Sequence, residues 1–370
     1  MKIVFIGGRD IHIIGGIESY MRNLSSVLVR MGHEPIVYCE SNRHEIENMN
    51  GVKVIHYKSF GSAYIDKPLL GLRATLRTLM KERGVGVIHY NAWPPSLWCW
   101  IPRLFGVKSL MHGHGLEWQR SKYSPRQQSV LLFMEKVTAY LNQHLIMCSN
   151  AQTRYFKSVY NRDAVTISTA INLPENKDVE SDILERFGLE PRKYFLSMGR
   201  LVKDKNPDVL IEAFKKAKHA GYKLVIAGSN DADMPYVESL HKLAEGDDDI
   251  VFTGSVYGTD KEKLLQQAFV FCLPSTIEGL AIALLEAMSY RLPIIASDIE
   301  ANQEVLSGDD ALWCKAEDEK TLKDAIEQSI EKRDDFVEIV ERNYRKVEAH
   351  YTWDKVAEKY IAHLKDLGCK

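Results

Sequence analysis

Four charged residues in the second half of the chain are spaced so that they could bind a ligand with both phosphate and hydroxyl groups. Glu278 and Glu286 are separated by seven residues within PSTIEGLAIALLEAM. A carboxylate is a good acceptor for the two hydroxyls of a vicinal diol. Arg200 and Lys205 lie within GRLVKDK, and an arginine fork beside a lysine point charge suits two adjacent phosphates. The alternative is that the glutamates only favour a helix start and a solvated helix face.

The stretch Phe271–Asp298 predicts the elements that position the two glutamates. A short apolar run predicts a strand, a Pro-Ser-Thr turn follows it, and apolar residues with helical spacing predict a helix over Leu280–Tyr290. A β-branched run after this helix completes a βαβ unit of a parallel sheet. Ligands of such sheets bind beyond the carboxyl ends of the strands. We therefore expect the N–H groups of Gly279, Leu280 and Ala281 to face an anion.

Glycine turns follow predicted strands at three further places. The strand Tyr194–Gly199 leads directly to Arg200, and the strand Lys223–Gly228 ends in a Gly-Ser pair. In the first half, a strand that ends at Gly8 is followed by a loop and a helix over Ser19–Gly32. Glycine lets backbone N–H groups come close to a ligand. We expect a ligand to be approached at Gly15, Gly16, Gly199, Gly228 and Ser229.

These motifs resemble those of a known family. The E-x7-E pair at Glu278 and Glu286 is similar to the signature of retaining glycosyltransferases with the GT-B fold, most closely glycosyltransferase family 4. The resemblance implies an α/β protein with two doubly wound Rossmann-like domains that face one another across a cleft. It implies a nucleotide diphosphate sugar as donor, with Glu286 on the ribose hydroxyls and Glu278 near the donor sugar. Arg200 and Lys205 match the GR-x4-K pair, which holds the donor diphosphate and would stabilise charge on the leaving group.

The first half carries two more motifs of the resemblance. Gly15-Gly16-Ile17-Glu18 resembles the GGxE loop that faces donor phosphate and acceptor. The loop after the predicted strand Val107–Met111 reads HGHGLEW, which resembles a subgroup linked to bacterial surface-polysaccharide synthesis, including rhamnosyl transfer. His114 matches the position of the family's histidine near the anomeric centre, and His112 stays open as the alternative. Family members often carry Asn-Gly near Ser168–Asn172, where this chain has STAIN.

The length of 370 residues predicts two domains. We expect an N-terminal acceptor-side domain over 1–173, joined by a C-terminal helix over 352–370, and a donor-binding domain over 183–351. The segment Leu173–Asp182 reads as the linker.

The charge of the chain is unevenly distributed. Residues 1–173 carry a net charge of +10 and the remainder −12, which suggests an anionic partner for the first part. A phosphorylated lipid carrier or an anionic membrane surface would fit a glycosyltransferase, whereas the alternative is that the imbalance improves docking between the halves. No apolar run is long enough to span a bilayer, and MKIVFIGG opens directly into a strand. We predict a cytoplasmic protein, with peripheral membrane contact through the basic domain and no nucleic-acid partner.

Neither a cofactor nor a metal is predicted. The six cysteines are scattered without a C-x-x-C pair, so the sequence indicates neither a disulfide framework nor a zinc site. Asp231-Ala232-Asp233 has the D-x-D form that binds a metal in a different glycosyltransferase fold, but its loop lies outside the predicted phosphate-facing elements. The glycine loop is not G-x-G-x-x-G, which argues against a nicotinamide dehydrogenase.

The function predicted from the sequence is retaining, metal-independent transfer of a hexosyl or deoxyhexosyl group to a glycan or lipid-linked acceptor. Its place would be bacterial cell-surface polysaccharide synthesis, such as O-antigen, capsule or exopolysaccharide. The rival functions are a nucleotide-sugar 2-epimerase, a soluble-sugar synthase of the sucrose or trehalose type, and a non-catalytic nucleotide-sugar-binding protein.

Overall fold

The computed structural model describes residues 1–13, 15–61, 63–119, 123–175, 178–219, 221–231 and 233–369. Asn176 of the predicted linker, Ala232 of the D-x-D sequence and Lys370 of the C-terminal segment lie outside the described residues. The chain divides into two compact units. Unit 1 comprises Met1–Ala170 and Trp353–Lys370, and unit 2 comprises Ile171–Thr352.

Unit 1 is built on a sheet with the strand order β3-β4-β2-β1-β5-β6-β7-β8. Its strands pair in parallel, except that β3 runs antiparallel to β4. The strands are β1 (Lys2–Ile6), β2 (Glu34–Ser41), β3 (Glu45–Met49), β4 (Val52–Lys58), β5 (Val85–Asn91), β6 (Lys108–Gly113), β7 (His144–Met147) and β8 (Val165–Thr166).

Unit 2 contains a sheet with the order β11-β10-β9-β12-β13-β14, in which the pairs are parallel. Its first strand, β9, lies between β10 and β12, so the strand order reverses there. Such a reversal is the switch point at which open α/β sheets bind ligands. The strands are β9 (Tyr194–Met198), β10 (Lys223–Ala227), β11 (Ile250–Gly254), β12 (Val270–Leu273), β13 (Ile294–Ser297) and β14 (Leu312–Cys314).

Helices cover the faces of both sheets, as parallel sheets require. The helices are α1 (Gly16–Arg30), α2 (Ala63–Lys81), α3 (Ile101–Leu104), α4 (Pro125–Leu141), α5 (Asn150–Tyr160), α6 (Ile183–Arg186), α7 (Pro207–Lys216), α8 (Met234–Leu243), α9 (Gly258–Gln267), α10 (Ile282–Ser289), α11 (Glu300–Val305), α12 (Glu319–Glu331), α13 (Val337–His350) and α14 (Trp353–Asp366). Short 3₁₀ segments occur at Pro95–Trp98, Glu117–Gln119, Lys203–Lys205 and Arg333–Phe336.

Each unit has apolar layers on the two sides of its sheet. In unit 1, Tyr20 of α1 and Tyr360 of α14 belong to one core, and Leu70 of α2 belongs to another. In unit 2, Leu284 of α10 and Phe214 of α7 occupy separate cores. These two layered units confirm the predicted class of two Rossmann-like α/β domains.

Several element boundaries differ from the prediction. Helix α1 begins at Gly16, three residues before the expected Ser19, because the glycine turn is itself the first turn of the helix. Strand β6 continues to Gly113, which places His112 inside the sheet. Helix α10 begins at Ile282 after an extended Ala281, so Gly279 and Leu280 belong to the preceding loop and not to the helix.

Candidate active site

The loops after β9 and β12 meet at the switch point of unit 2. Asn206, which has a φ of 49°, donates from its side-chain amide to the carbonyl of Pro274 over 2.8 Å. The backbone N–H of Thr276 donates to the carbonyl of Asp204 over 2.9 Å. These bonds fix the loop that carries Lys205 against the loop that carries Glu278.

Lys205 and Glu278 form an ion pair across these two loops. The side chain of Glu278 is only 8% exposed and that of Lys205 is 30% exposed, so the cation is the more accessible member. Arg200 lies on the same loop as Lys205 and is exposed. Its guanidinium has no ion-pair or hydrogen-bond partner in the part of the chain that the structure describes. Within the described residues, the Arg200 guanidinium is therefore unpaired, whereas the Lys205 ammonium group is paired with the Glu278 carboxylate.

Backbone donors accumulate just after Glu278. Within the described residues, the N–H groups of Gly279, Leu280, Ala281 and Ile282 have no acceptor, since the first turn of α10 begins with bonds to the carbonyl of Ala281. Although three of these residues precede the helix, the row of free N–H groups at its start is suited to an anion.

Glu286 projects from the second turn of α10 and is paired with Lys261 of α9. The Nζ atom of Lys261 lies 2.6 Å from Oε1 of Glu286, and the glutamate side chain is 20% exposed. Lys261 was not identified from the sequence. No spacing rule connects it to Glu286, because their contact depends on how α9 packs beside α10.

Gly199 and Gly228 lie against each other at the ends of β9 and β10. A Cβ atom added to Gly228 would lie 1.8 Å from the carbonyl oxygen of Gly199. The N–H of Gly199 donates to Ala227 over 3.0 Å, and Ser229 Oγ lies 2.8 Å from Ser255 Oγ. Close packing of the two loops therefore requires glycine at 228, and donor contact at these positions stays a prediction.

The predicted glycine loop of unit 1 forms the start of α1. Gly15 is its N-cap, and Ser19 donates its backbone N–H to the carbonyl of Gly15 over 2.9 Å. A Cβ on Gly16 would meet no atom within 4 Å, whereas one on Gly15 would lie 2.1 Å from Oε2 of Glu18. The Glu18 carboxylate accepts the backbone N–H of Arg9 over 2.7 Å, so it ties the preceding loop to the helix.

The two candidate histidines have different environments. His112 is fully buried in β6, and neither ring nitrogen makes a hydrogen bond of ordinary geometry among the described residues. His114 lies beyond the strand end and is partly exposed. Its Nε2 atom is 2.9 Å from Oδ1 of Asn91, a buried residue that the sequence reasoning missed.

Burial keeps both histidines neutral. Desolvation lowers the pKa of His114 to about 3. The pKa of His112 lies well below 6.5, mainly because of desolvation and to a lesser extent because His114 and His89 are close. If the Asn91 amide oxygen accepts the Nε2–H of His114, the Nδ1 atom of His114 is left as an acceptor for a ligand hydroxyl.

Two models of known protein families match the sequence of this chain. The family model described as "Glycosyltransferase Family 4" matches residues 14–174. The family model described as "Glycosyl transferases group 1" matches residues 180–346. The chain is a glycosyltransferase of the GT-B, family 4 type.

Curated relatives of this glycosyltransferase extend over most of its length. An uncharacterized glycosyltransferase of Methanocaldococcus jannaschii is 26% identical, with 94% of each chain covered. A GDP-mannose-dependent alpha-(1-6)-phosphatidylinositol monomannoside mannosyltransferase of Mycobacterium tuberculosis is 25% identical, with 95% of this chain and 94% of the relative covered. An O-antigen chain mannosyltransferase of Salmonella typhimurium is 29% identical over 63% of this chain and 62% of its own.

Solved structures of low sequence identity share the fold of the glycosyltransferase. The sucrose-phosphate synthase of Thermosynechococcus elongatus has a TM-score of 0.85 and 18% identity, with 99% of this chain and 98% of that chain covered. The Anabaena protein HepE, solved in complex with UDP, has a TM-score of 0.79 and 14% identity, with 99% and 100% covered. These structures show the fold, whereas the activity of this chain as a glycosyltransferase rests on the family models and the curated relatives.

Proposed function

We propose that this glycosyltransferase moves a hexosyl or deoxyhexosyl group, with retention of configuration, from a nucleotide diphosphate sugar to a hydroxyl of a glycan or lipid-linked acceptor. The observation that carries the proposal is the convergence at the β9–β12 switch point. There, Lys205 is paired with Glu278, and Arg200, the row of free N–H groups and Glu286 lie on the loops and the helix that follow β9 and β12. Phosphates suit the basic side chains and the N–H groups, and sugar hydroxyls suit the carboxylates.

Each group of unit 2 has a proposed role toward the donor. Arg200, Lys205 and the N–H groups of Gly279, Leu280 and Ala281 bind the diphosphate. Glu286 accepts the ribose hydroxyls, with Lys261 holding its carboxylate in place. Glu278 lies near the donor sugar and orients Lys205. Contacts from Gly199, Gly228 and Ser229 complete the donor site.

The transfer step needs no separate protein nucleophile in this proposal. The acceptor oxygen forms its bond to the anomeric carbon on the face from which the diphosphate departs. The bond between that carbon and the phosphate oxygen breaks with its electron pair on the leaving group, which takes the acceptor proton. Arg200 and Lys205 stabilise the growing charge, and the reaction uses no metal.

Unit 1 is proposed to bind the acceptor. Gly15 and Gly16 offer backbone N–H groups at the start of α1, and His114 offers a neutral Nδ1 acceptor. The geometry favours His114 over His112, because a fully buried strand residue does not reach a ligand. The O-antigen relative supports a role in surface-polysaccharide synthesis, and we place the enzyme in the cytoplasm.

Peripheral contact with the inner face of the membrane is part of the proposal. Among the described residues, no helix is long and apolar enough to cross a bilayer. Helices α2 and α3 of unit 1 contact each other and expose both apolar and basic side chains, a combination that suits an anionic interface. Exposed residues on and next to these helices include Leu76, Met80, Lys81, Arg83, Arg103, Leu104 and Phe105.

The test is a transfer assay with GDP-mannose and common UDP-, ADP- and dTDP-sugars, first without and then with a lipid-linked glycan acceptor. The proposal predicts acceptor-dependent release of nucleotide diphosphate and an NMR-assigned product with the donor's anomeric configuration. Formation of an epimerised donor in the absence of acceptor would instead indicate an epimerase. Transfer of the sugar to a free sugar would indicate a soluble-sugar synthase. Binding without turnover would indicate a non-catalytic protein, and a glycosyl group trapped on Glu278 would contradict front-side attack.

A further inference from the structure

A second cluster of ligand-type side chains lies in unit 1, on residues that have no role in the proposed transfer. Asp10, His12 and His56 each offer one ligand atom, and these atoms lie within 4.8 Å of one another. Oε1 of Glu47 lies 2.8 Å from Nε2 of His12 and 3.0 Å from Nε2 of His56. Two imidazoles and two carboxylates from the β1–α1 loop, β3 and β4 thus converge.

We propose that this cluster is a binding site for one divalent ion of the zinc type, held by His12, Nδ1 of His56 and Asp10. Glu47 orients the two imidazoles through their Nε2 atoms. Paired imidazoles and carboxylates are ligands of zinc and its first-row neighbours, whereas magnesium and calcium prefer oxygen ligands alone. The Sγ atom of Cys39 lies 3.4 Å from Nδ1 of His56 and so borders the cluster.

Hydrogen bonds and burial already orient the ligand groups of this cluster, as they do in metal sites. The hydroxyl of Ser41 donates to Oδ2 of Asp10 over 2.7 Å, and the backbone N–H of His12 donates to Oδ1 over 3.1 Å. His56 is fully buried, so its ring orientation is fixed. Such partners orient ligand groups around an ion.

Only a small movement is needed to bring the ligand atoms around one ion. Ligand atoms of a tetrahedral zinc site with bonds of about 2.0–2.1 Å lie about 3.4 Å apart. Oδ2 of Asp10 is 3.8 Å from Nδ1 of His56, which is close to that spacing. The side chain of His12 is 51% exposed, so it is free to close the remaining distance.

A bound ion would connect the loop after β1 to the β3–β4 edge of the sheet. That loop continues into Gly15, and Arg9 within it bonds Glu18 of α1. The ion would thus stiffen the segment that leads to the start of α1. This inference does not depend on the proposed transfer reaction.

The test is a zinc titration by calorimetry on EDTA-treated protein without a histidine tag, compared with His12→Ala, Glu47→Gln and the control His350→Ala. His350 is an exposed histidine of unit 2. The proposal predicts one equivalent bound by the wild type, affinity at least tenfold weaker in His12→Ala and Glu47→Gln, and no change in His350→Ala. Co²⁺ bound in place of zinc would show visible absorption that His12→Ala removes.

Other outcomes would overturn the proposal. These are the absence of saturable binding, unchanged affinity in His12→Ala, or equal loss in His350→Ala, which would indicate adventitious surface binding. Displacement of zinc by an equal concentration of magnesium would exclude the imidazole ligands. Because His12 is exposed, its variant should keep the metal-free melting temperature of the wild type, which separates loss of binding from loss of folding.

Discussion

Glu286 is the residue whose proposed role is most specific, because a carboxylate that accepts two ribose hydroxyls distinguishes ribonucleotides from dideoxy analogues. We predict that Glu286→Ala weakens binding of the preferred ribonucleoside diphosphate about tenfold or more, an effect of at least ~1.4 kcal/mol. Binding of the 2′,3′-dideoxy analogue should change less than twofold. Calorimetry with both ligands measures this.

The matched control for Glu286 is Glu262→Ala, which removes an exposed carboxylate from the neighbouring helix α9. It should leave both affinities unchanged. Equal weakening of the ribonucleotide and the dideoxy analogue in Glu286→Ala would show that the glutamate acts on the fold or the diphosphate and not on the ribose.

His112 predicts a pH dependence of stability. Its pKa in the folded protein lies well below 6.5, so below that pH the unfolded chain binds a proton that the folded protein does not. Stability is therefore lost as the pH falls through 6.5, by about 1.4 kcal/mol per pH unit for such a histidine. We predict that His112→Phe reduces the fall in melting temperature between pH 6.5 and 5.

Exposed His350 provides the comparison for this measurement, since His350→Ala should leave the wild-type slope unchanged. His89 and His114 also have lowered pKa values through burial, so His112→Phe should reduce the slope without abolishing it. A slope identical to that of the wild type would contradict the assignment.

At the scale of residues, the sequence indicated which side chains follow the strand ends but not which residues they contact. Glu278 and Lys205 could be selected from their motifs, and their contact follows from the meeting of two loops at the switch point. Lys261 and Asn91 could not be selected. Their partners are 25 and 23 residues away, and the contacts arise only from tertiary packing.

At the scale of elements, the contact between the β9 and β10 loops sets a strict limit on residue 228. The backbone of Gly199 stands where a side chain would begin, so Gly228→Ala must push the two loops apart. We predict a loss of about 3 kcal/mol, which lowers the melting temperature of unit 2 by at least about 6 °C. Thermal unfolding by circular dichroism or calorimetry measures the change.

Gly16→Ala is the contrasting substitution, because its Cβ would meet no atom within 4 Å. It should leave the melting temperature within about 2 °C of the wild type, since alanine favours a helix over glycine. A large loss in Gly16→Ala, or none in Gly228→Ala, would contradict this packing account.

Strand β3 and helix α4 are among the elements that were not predicted from the sequence, each for a physical reason. Strand β3 reads EIENM, a polar segment of low strand propensity that is ordered by pairing with β4 at the sheet edge. Helix α4 buries Leu131 and Ala139 but exposes Leu132 and Phe133, so its apolar residues do not mark one face. The strands that lead to Gly8, Gly199 and Gly228 carried a clear apolar pattern and were predicted.

At the scale of the whole molecule, the positive charge of the first 173 residues predicts salt-dependent binding to anionic vesicles. We expect cosedimentation with vesicles containing phosphatidylglycerol at low ionic strength, lost at high salt. At about 1 kcal/mol per cation, the triple variant Lys81→Glu, Arg83→Glu, Arg103→Glu should weaken vesicle binding about 100-fold or more.

The control for charge alone is Lys332→Glu with Arg333→Glu, which reverses two exposed cations of unit 2. It should retain vesicle binding. If both variants lose binding to the same extent, the effect is one of net charge and not of the surface formed by α2 and α3.

The central claim is that the switch point of unit 2 binds the diphosphate of the donor through Lys205. The most direct measurement is calorimetry of UDP, GDP, ADP and dTDP on the wild type, Lys205→Ala and the control Lys203→Ala. Lys203 belongs to the same 3₁₀ turn, and its exposed side chain has no partner in the described part of the chain. We predict that one nucleotide binds best, that Lys205→Ala weakens it at least tenfold, and that Lys203→Ala changes it less than twofold. Equal effects of the two substitutions, or no nucleotide binding by the folded wild type, would contradict the account.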